Sequence, residues 1–141
     1  MNLNDITDIA ASGLSAQRLR LAVTASNIAN AETTRTPGGG PYQRRDPIFR
    51  SESSVGPFSS RLDRAIRQVD IKRIALDDSP SITRFDPGHP DANEEGFVEM
   101  PNVDIVREMS NLMSASRSYE ANLVSIRKVR AIAEAALRIG R

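Results

Sequence analysis

Apolar residues recur with helical spacing at both ends of the 141-residue chain and lose that spacing in between. In the first segment Leu14, Leu21 and Ile28 return every seven residues, with Ala11 and Ala25 three places before two of them and Ala22 and Ala29 beside them. One narrow apolar stripe results, and its alanines let a partner helix come close. No proline interrupts residues 3 to 31, so about 40 Å of helix is predicted at roughly 1.5 Å per residue. Thr33, Thr34, Thr36 and Pro37 then stop it.

The last segment is more regular. Alternating steps of four and three from Ile105 reach Met109, Leu112, Ser116, Tyr119, Leu123, Ile126, Arg130, Ala133 and Leu137, a sustained heptad seam. About 50 Å of helix follows from the same rise per residue. Pro101-Asn102 sits where a proline and an Asn cap open a helix, and Gly140 sits where one closes. A second stripe, Val129, Ile132, Ala136 and Ile139, widens the apolar face beyond what one partner helix needs, which points to contact with several helices. Ser116 and Arg130 interrupt the seam: either they fix register or partner number, or the seam is assigned to the wrong positions.

Residues 35 to 99 hold seven of the eight prolines and most of the glycines, which excludes a long helix there. Val69-Asp70-Ile71-Lys72 alternates, Ile82-Thr83-Arg84-Phe85 partly does, and Gly96-Phe97-Val98-Glu99-Met100 fits another strand. Phe58, Leu62, Ala65 and Ile66 suit a helical turn instead, so residues 51 to 67 stay open between the two. The fold expected is therefore mainly α: two long terminal helices packed as an antiparallel coiled-coil pair, with a small irregular β-containing insert. Its divisions are residues 1–34, 35–99 and 100–141.

Composition bears on whether such a chain closes its own core. Aromatic residues make up 4%, tryptophan is absent and 26% of residues are charged, so little bulky apolar volume is available to fill an isolated globule. Neighbouring subunits would supply the missing contacts. A formal net charge of +1 offers no strong field for nucleic acid or anionic lipid. Without cysteine, disulfides and thiolate metal sites are excluded. Met1 to Asp5 lacks the basic and continuously apolar stretches of a cleaved secretory signal, so any export is expected to use another route.

Candidate chemistry is sparse. His89, the single histidine, lies between Gly88 and Pro90 and reads as a turn residue, with no second histidine or cysteine to complete a zinc or nucleophilic site. The run from Asp91 to Gly96 loosely follows the start of an EF-hand loop, but Asn102 stands where the bidentate Glu belongs. Gly38-Gly39-Gly40-Pro41 lacks the Lys-Ser/Thr of a phosphate cradle and reads as a flexible bend. Arg44 and Arg45 beside Tyr42 read as ordinary solvated surface. No catalytic residue, metal site, cofactor, nucleic-acid partner or small-molecule substrate is expected.

The ends carry motifs as well as periodicity. Ser12-Gly13-Leu14-Ser15-Ala16 followed at helical distance by Asn27-Ile28-Ala29-Asn30-Ala31 resembles the flagellar rod and hook protein family. Thr36-Pro37-Gly38-Gly39-Gly40-Pro41-Tyr42, the run Asp86 to Gly96, Met100-Pro101-Asn102-Val103 and the block Met113 to Asn122 narrow the resemblance to the proximal-rod type. Only about residues 51 to 68 show no matching motif. Glu32 to Pro37 stands where distal-rod and hook relatives carry Thr-x-Gly-Tyr/Phe, a departure that also favours the proximal type.

The resemblance implies a structural subunit of the periplasmic rod of the bacterial flagellar basal body, exported by the flagellar type III apparatus without signal cleavage. It implies partners among copies of the chain and other rod proteins, including the rod base near the inner-membrane ring. Helix contacts are expected at Leu14, Leu21, Ile28, Ile105, Leu112, Tyr119, Leu123 and Ile126. Asn27 and Asn30 are expected to shape the end of the first helix, and Arg117 and Glu120 either make intersubunit ion pairs or face solvent. The rival is a self-contained helical module that docks a partner helix in its groove.

Overall fold

The computed structural model describes residues 3–53 and 67–139. Six elements follow in order: helix α1 (Leu3–Ala29), strands β1 (Arg45–Ser53), β2 (Arg67–Leu76), β3 (Ile82–Phe85) and β4 (Phe97–Met100), and helix α2 (Ile105–Ile139). The strands form two separate antiparallel hairpins, β1 with β2 and β3 with β4. The mainly α expectation is thereby corrected, because about half of the described residues are helical and 22% are strand. The helical-turn alternative for Phe58, Leu62, Ala65 and Ile66, and the closing Gly140, lie outside the described residues.

The helices run antiparallel. Asn27 of α1 bonds Glu108 of α2 at 2.9 Å, and fourteen residues back along α1 the Gly13 Cα lies against Asn122, fourteen residues on along α2. A Cβ at Gly13 would stand 3.1 Å from Asn122 Nδ2, so glycine permits this approach. Extending the same pairing places Leu3, the first described residue of α1, opposite about residue 132 of α2.

The stripe of α2 turned to α1 is Glu108, Leu112, Ala115, Tyr119, Asn122, Ile126, Val129 and Ala133, all buried or half-buried. It shares four positions with the predicted seam and departs by one residue at the others. Met109 is 53% exposed and Arg130 is exposed, whereas Ala115 is fully buried. The polar interruptions at Ser116 and Arg130 thus follow from counting fours and threes from Ile105, which lands one residue past the buried Ala115 and the half-buried Val129. On α1 the buried positions are Ala16, Val23, Thr24 and Asn27, while Leu14, Leu21 and Ile28 are half-buried on a flank.

The cap of α2 is also not where proline and asparagine suggested. Asp104 Oδ1 accepts the N–H groups of Val106 and Arg107 at 3.0 and 3.1 Å, satisfying two of the donors a helix start leaves open. Asn102 instead bridges loops, its Oδ1 accepting Arg44 N–H and its Nδ2 donating to the carbonyls of Asp77 and Ser79.

The β1–β2 hairpin shows why its length was hard to read. Phe49 pairs with Ile71 and Pro47 with Ile74, with a register shift between Ile48 and Phe49. Since directly paired residues share a face, Ile71 and Ile74 share one although three positions separate them. Val69 and Leu76 join them, so the shift gathers four apolar side chains that strict alternation would divide. The hairpin is held to α1 by a bond from Val69 N–H to Ser12 Oγ at 3.1 Å.

In the second hairpin Phe85 and Phe97 meet edge to face, their ring centroids 5.2 Å apart. Gly96 precedes Phe97 with φ +81°, and a Cβ there would lie 3.0 Å from the Phe85 ring and 3.1 Å from Pro87. Gly96→Ala is expected to cost about 1 to 2 kcal/mol, from the left-handed backbone plus the displaced ring. Urea unfolding of the purified chain measures it, and an unchanged midpoint would show that the turn relaxes freely.

Candidate functional site: a buried polar clasp

Where α1 ends, the chain spends its prolines and glycines on a loop that returns to the helix. Asn30 Nδ2 donates to the Ser26 carbonyl and Thr33 N–H to the Asn30 carbonyl, closing the last turn. Thr36 and Gly40 then bond across the Gly38–Gly40 bend, so this stretch is a hydrogen-bonded turn. Tyr42 N–H bonds the Thr33 carbonyl, which sets the Tyr42 ring beside Ala31 and Val103.

This loop brings three groups of Tyr42 and Arg45 to Asn27, which is 1% exposed. Asn27 Oδ1 accepts the Tyr42 hydroxyl at 2.9 Å and Arg45 N–H at 3.0 Å. Its Nδ2 donates to the Arg45 carbonyl at 2.8 Å and to Glu108 Oε2 at 2.9 Å. An asparagine amide offers two donors and two lone pairs, and here all four are used. The Arg45 guanidinium lies 5.6 Å from the centre of the Tyr42 ring, a cation–π contact over the same corner.

Glu108, also 1% exposed, carries the clasp to α2. Its Oε1 accepts Arg44 Nε at 3.0 Å and Asn111 Nδ2 at 3.2 Å. The Arg44 Nη1 reaches Asp77 at 3.4 Å and Asp46 at 3.6 Å. Arg44 is therefore a buried tie, its side chain only 17% exposed, and the solvated-surface reading is corrected. One network thus joins the end of α1, the start of β1, the end of β2 and the first turn of α2. Glu108 was missed because an acid among charged neighbours carries no sequence mark; its place seven residues before Ala115 and four before Leu112, on the inner stripe, is the signal that finds it.

Burial alone would lower the Arg44 guanidinium, but the hydrogen bond to Glu108 and the charges of Glu108, Asp46 and Asp77 outweigh it and hold the group above its ordinary range. A raised base contributes its stability below the unfolded value, so this contribution is constant through neutral pH and lost only in strong alkali. Bonds from the Ser79 hydroxyl and N–H, with the charge of Arg44, hold the Asp77 carboxyl below the usual carboxylate range. A depressed acid contributes above its unfolded value, so the Asp77 arm weakens only as pH falls through that lowered range.

Nothing in the clasp is left open to react. His89 sits in a turn with Nδ1 accepting Asp91 N–H, and among the described residues no group of three or more His, Asp or Glu side chains is placed to hold a metal. Of the residues expected to make helix contacts, Leu112, Tyr119, Leu123 and Ile126 are half-buried on α2, and Ile105 is 42% exposed. Arg117 and Glu120 are exposed and share no ion pair among the described residues.

Two family models match the helical ends: "Flagella basal body rod protein" over residues 8–35 and "Flagellar basal body rod FlgEFG protein C-terminal" over residues 94–139. The flagellar basal-body rod protein FlgC of Borreliella burgdorferi is 43% identical, with 99% of this chain and 98% of that protein aligned. FlgC of Salmonella typhimurium is 39% identical over 99% of both chains, and FlgC of Bacillus subtilis 39% identical over 95% of both. Both clasp partners on the helices, Asn27 and Glu108, fall inside the matched segments. With likeness running from end to end, the chain belongs to the FlgC family of flagellar basal-body rod proteins.

Proposed function

We propose that the chain is a structural subunit of the proximal rod of the flagellar basal body and works by packing its terminal helices against neighbouring copies and other rod proteins. In this role it forms part of the tubular shaft that transmits torque and encloses the export channel. It reaches the periplasm through the flagellar type III apparatus and catalyses nothing.

One observation carries the reading: among the described residues no Leu, Ile or Phe side chain is fully buried. The buried hydrophobic residues are Ala, Val, Tyr and Met. On α2 Val106, Met109 and Met113 are 74%, 53% and 56% exposed. Three and four residues apart, they share one face of the helix. Burying an apolar side chain is worth about 1.5 to 3 kcal/mol, so these positions hold association energy that a lone subunit leaves unused. Leu14, Leu21 and Ile28 add a half-buried stripe on the flank of α1. A groove of about 630 Å³ between α1 and the β1–β2 hairpin, lined by Ile6, Ile9, Phe49 and Val69, also holds Gln17, whose buried Oε1 has no hydrogen-bond partner among the described residues.

The clasp suits this role because it sets the angle between the helices before any neighbour arrives. Met113→Asp places a charge on the exposed face without touching the clasp. The expected result is a normally expressed, folded chain that no longer supports swimming in soft agar. Unimpaired motility would remove the assembly reading. A dilute monomer with fully formed helices and a binding groove for one helix would favour the self-contained module instead.

A further inference from the structure

We propose that the last turns of α2 dock on the β3–β4 hairpin of a second copy, a contact that rests on the assembly reading above and assigns it two surfaces. Past Ala133, α2 has no described residue of α1 opposite it, and Leu137 on that stretch is 74% exposed. Arg127, Arg130 and Arg138 lie on the same side of the helix as Leu137 and Lys128 beside them, all exposed, against the single acid Glu134 on residues 127 to 138. Asp5 and Asp8 on the adjoining turns of α1 reduce this positive charge without reversing it.

The hairpin presents the opposite character. Phe85 and Phe97 pair directly on one face of the hairpin, 63% and 39% exposed with their rings edge to face, and Ile82, 57% exposed, pairs with Met100 on the other face. Beside them Glu94, Glu95 and Glu99 are exposed and hold no ion pair among the described residues. Asp86 and Asp91, by contrast, are already occupied by Arg84 and Arg35. Each surface therefore sets exposed apolar side chains beside charge that is predominantly of one sign, and the predominant signs are complementary.

The two surfaces cannot meet within one subunit. Thr34 Oγ1 donates to Asp91 at 2.7 Å, which ties the hairpin's turn to the clasp end of the molecule. The basic stretch of α2 lies about 35 to 50 Å away along a continuous helix. A second copy is the occupant this geometry admits, in a contact between unlike surfaces that extends from subunit to subunit in a head-to-tail row.

The native chain has no cysteine, so the contact can be trapped. Purified full-length chains carrying Glu95→Cys and Arg130→Cys are mixed under oxidising conditions at low salt. The expected product is a disulfide-linked pair of the two variants, absent when either is oxidised with a chain carrying cysteine at the exposed Ser110. Glu94→Lys/Glu95→Lys should weaken self-association about tenfold by light scattering, and Arg127→Glu/Lys128→Glu in the mixing partner should restore it. No specific cross-link, or charge reversal without effect, would overturn the contact. If self-association remained sensitive to Met113→Asp in that case, the assembly reading would stand while this pair of surfaces fell.

Discussion

Glu108→Ala is expected to lower the unfolding free energy by about 3 kcal/mol, the range found when one partner of a buried ion pair is removed. The loss would exceed that of a typical hydrogen bond because three donors are stranded together: Arg44 Nε, Asn27 Nδ2 and Asn111 Nδ2. Glu108→Gln should fall between, since an amide keeps one acceptor but turns its NH2 group toward a donor. Glu108→Leu combined with Arg44→Leu should recover part of the stability by replacing the ion pair with apolar contact, the rest staying lost at Asn27 Nδ2 and Asn111 Nδ2. Urea unfolding of the wild type and these three variants measures the series. Equal midpoints for the wild type and Glu108→Ala would mean that water replaces the carboxylate at no cost, and the clasp would lose its place as the junction of the fold.

That series also separates what sequence can and cannot show. The two terminal helices were legible because heptad spacing survives a one-residue error: Leu112, Tyr119, Ile126 and Ala133 lie on both the predicted and the observed stripe. The face at the other positions was not legible, because counting from Ile105 reaches Met109, Ser116 and Arg130 while the inner stripe takes Glu108, Ala115 and Val129. Period alone assigns a repeat, and residue volume at the contact then selects which of two adjacent rows faces inward.

The clasp was legible by half. Asn27 belongs to a motif and stood out, but its bonds run to main-chain groups and an acid 81 positions away, which no local pattern encodes. Arg44 looked solvated because an arginine in a Pro/Gly-rich stretch usually is. Its three carboxylate neighbours become neighbours only after β2 and α2 return to the same corner. The β1–β2 hairpin was under-read for another reason. The shift opposite Lys72 breaks the period of two just where Ile71 and Ile74 should establish it.

Ala115→Leu should be the most disruptive enlargement between the helices, costing about 2 to 3 kcal/mol as an overpacked core position. Ala115 is fully buried, and the antiparallel pairing sets it opposite the Ala16–Thr24 stretch of α1, where Ala16, Val23 and Thr24 are themselves buried. Three added carbons cannot be turned to solvent from there, so the helices must part. Parting is resisted at both ends, by the Gly13–Asn122 approach and by the 2.9 Å bond between Asn27 and Glu108. Strain at residue 115 should therefore appear as loss of the clasp as well, seen as faster amide exchange at Arg45, whose N–H is bound to Asn27 Oδ1. Leucine at the exposed Ala131 adds the same volume where space is free and should leave both stability and that exchange rate unchanged. If leucine at 115 behaved like leucine at 131, the helices would not be packed as closely as their small residues require, and their angle could not be set by the clasp.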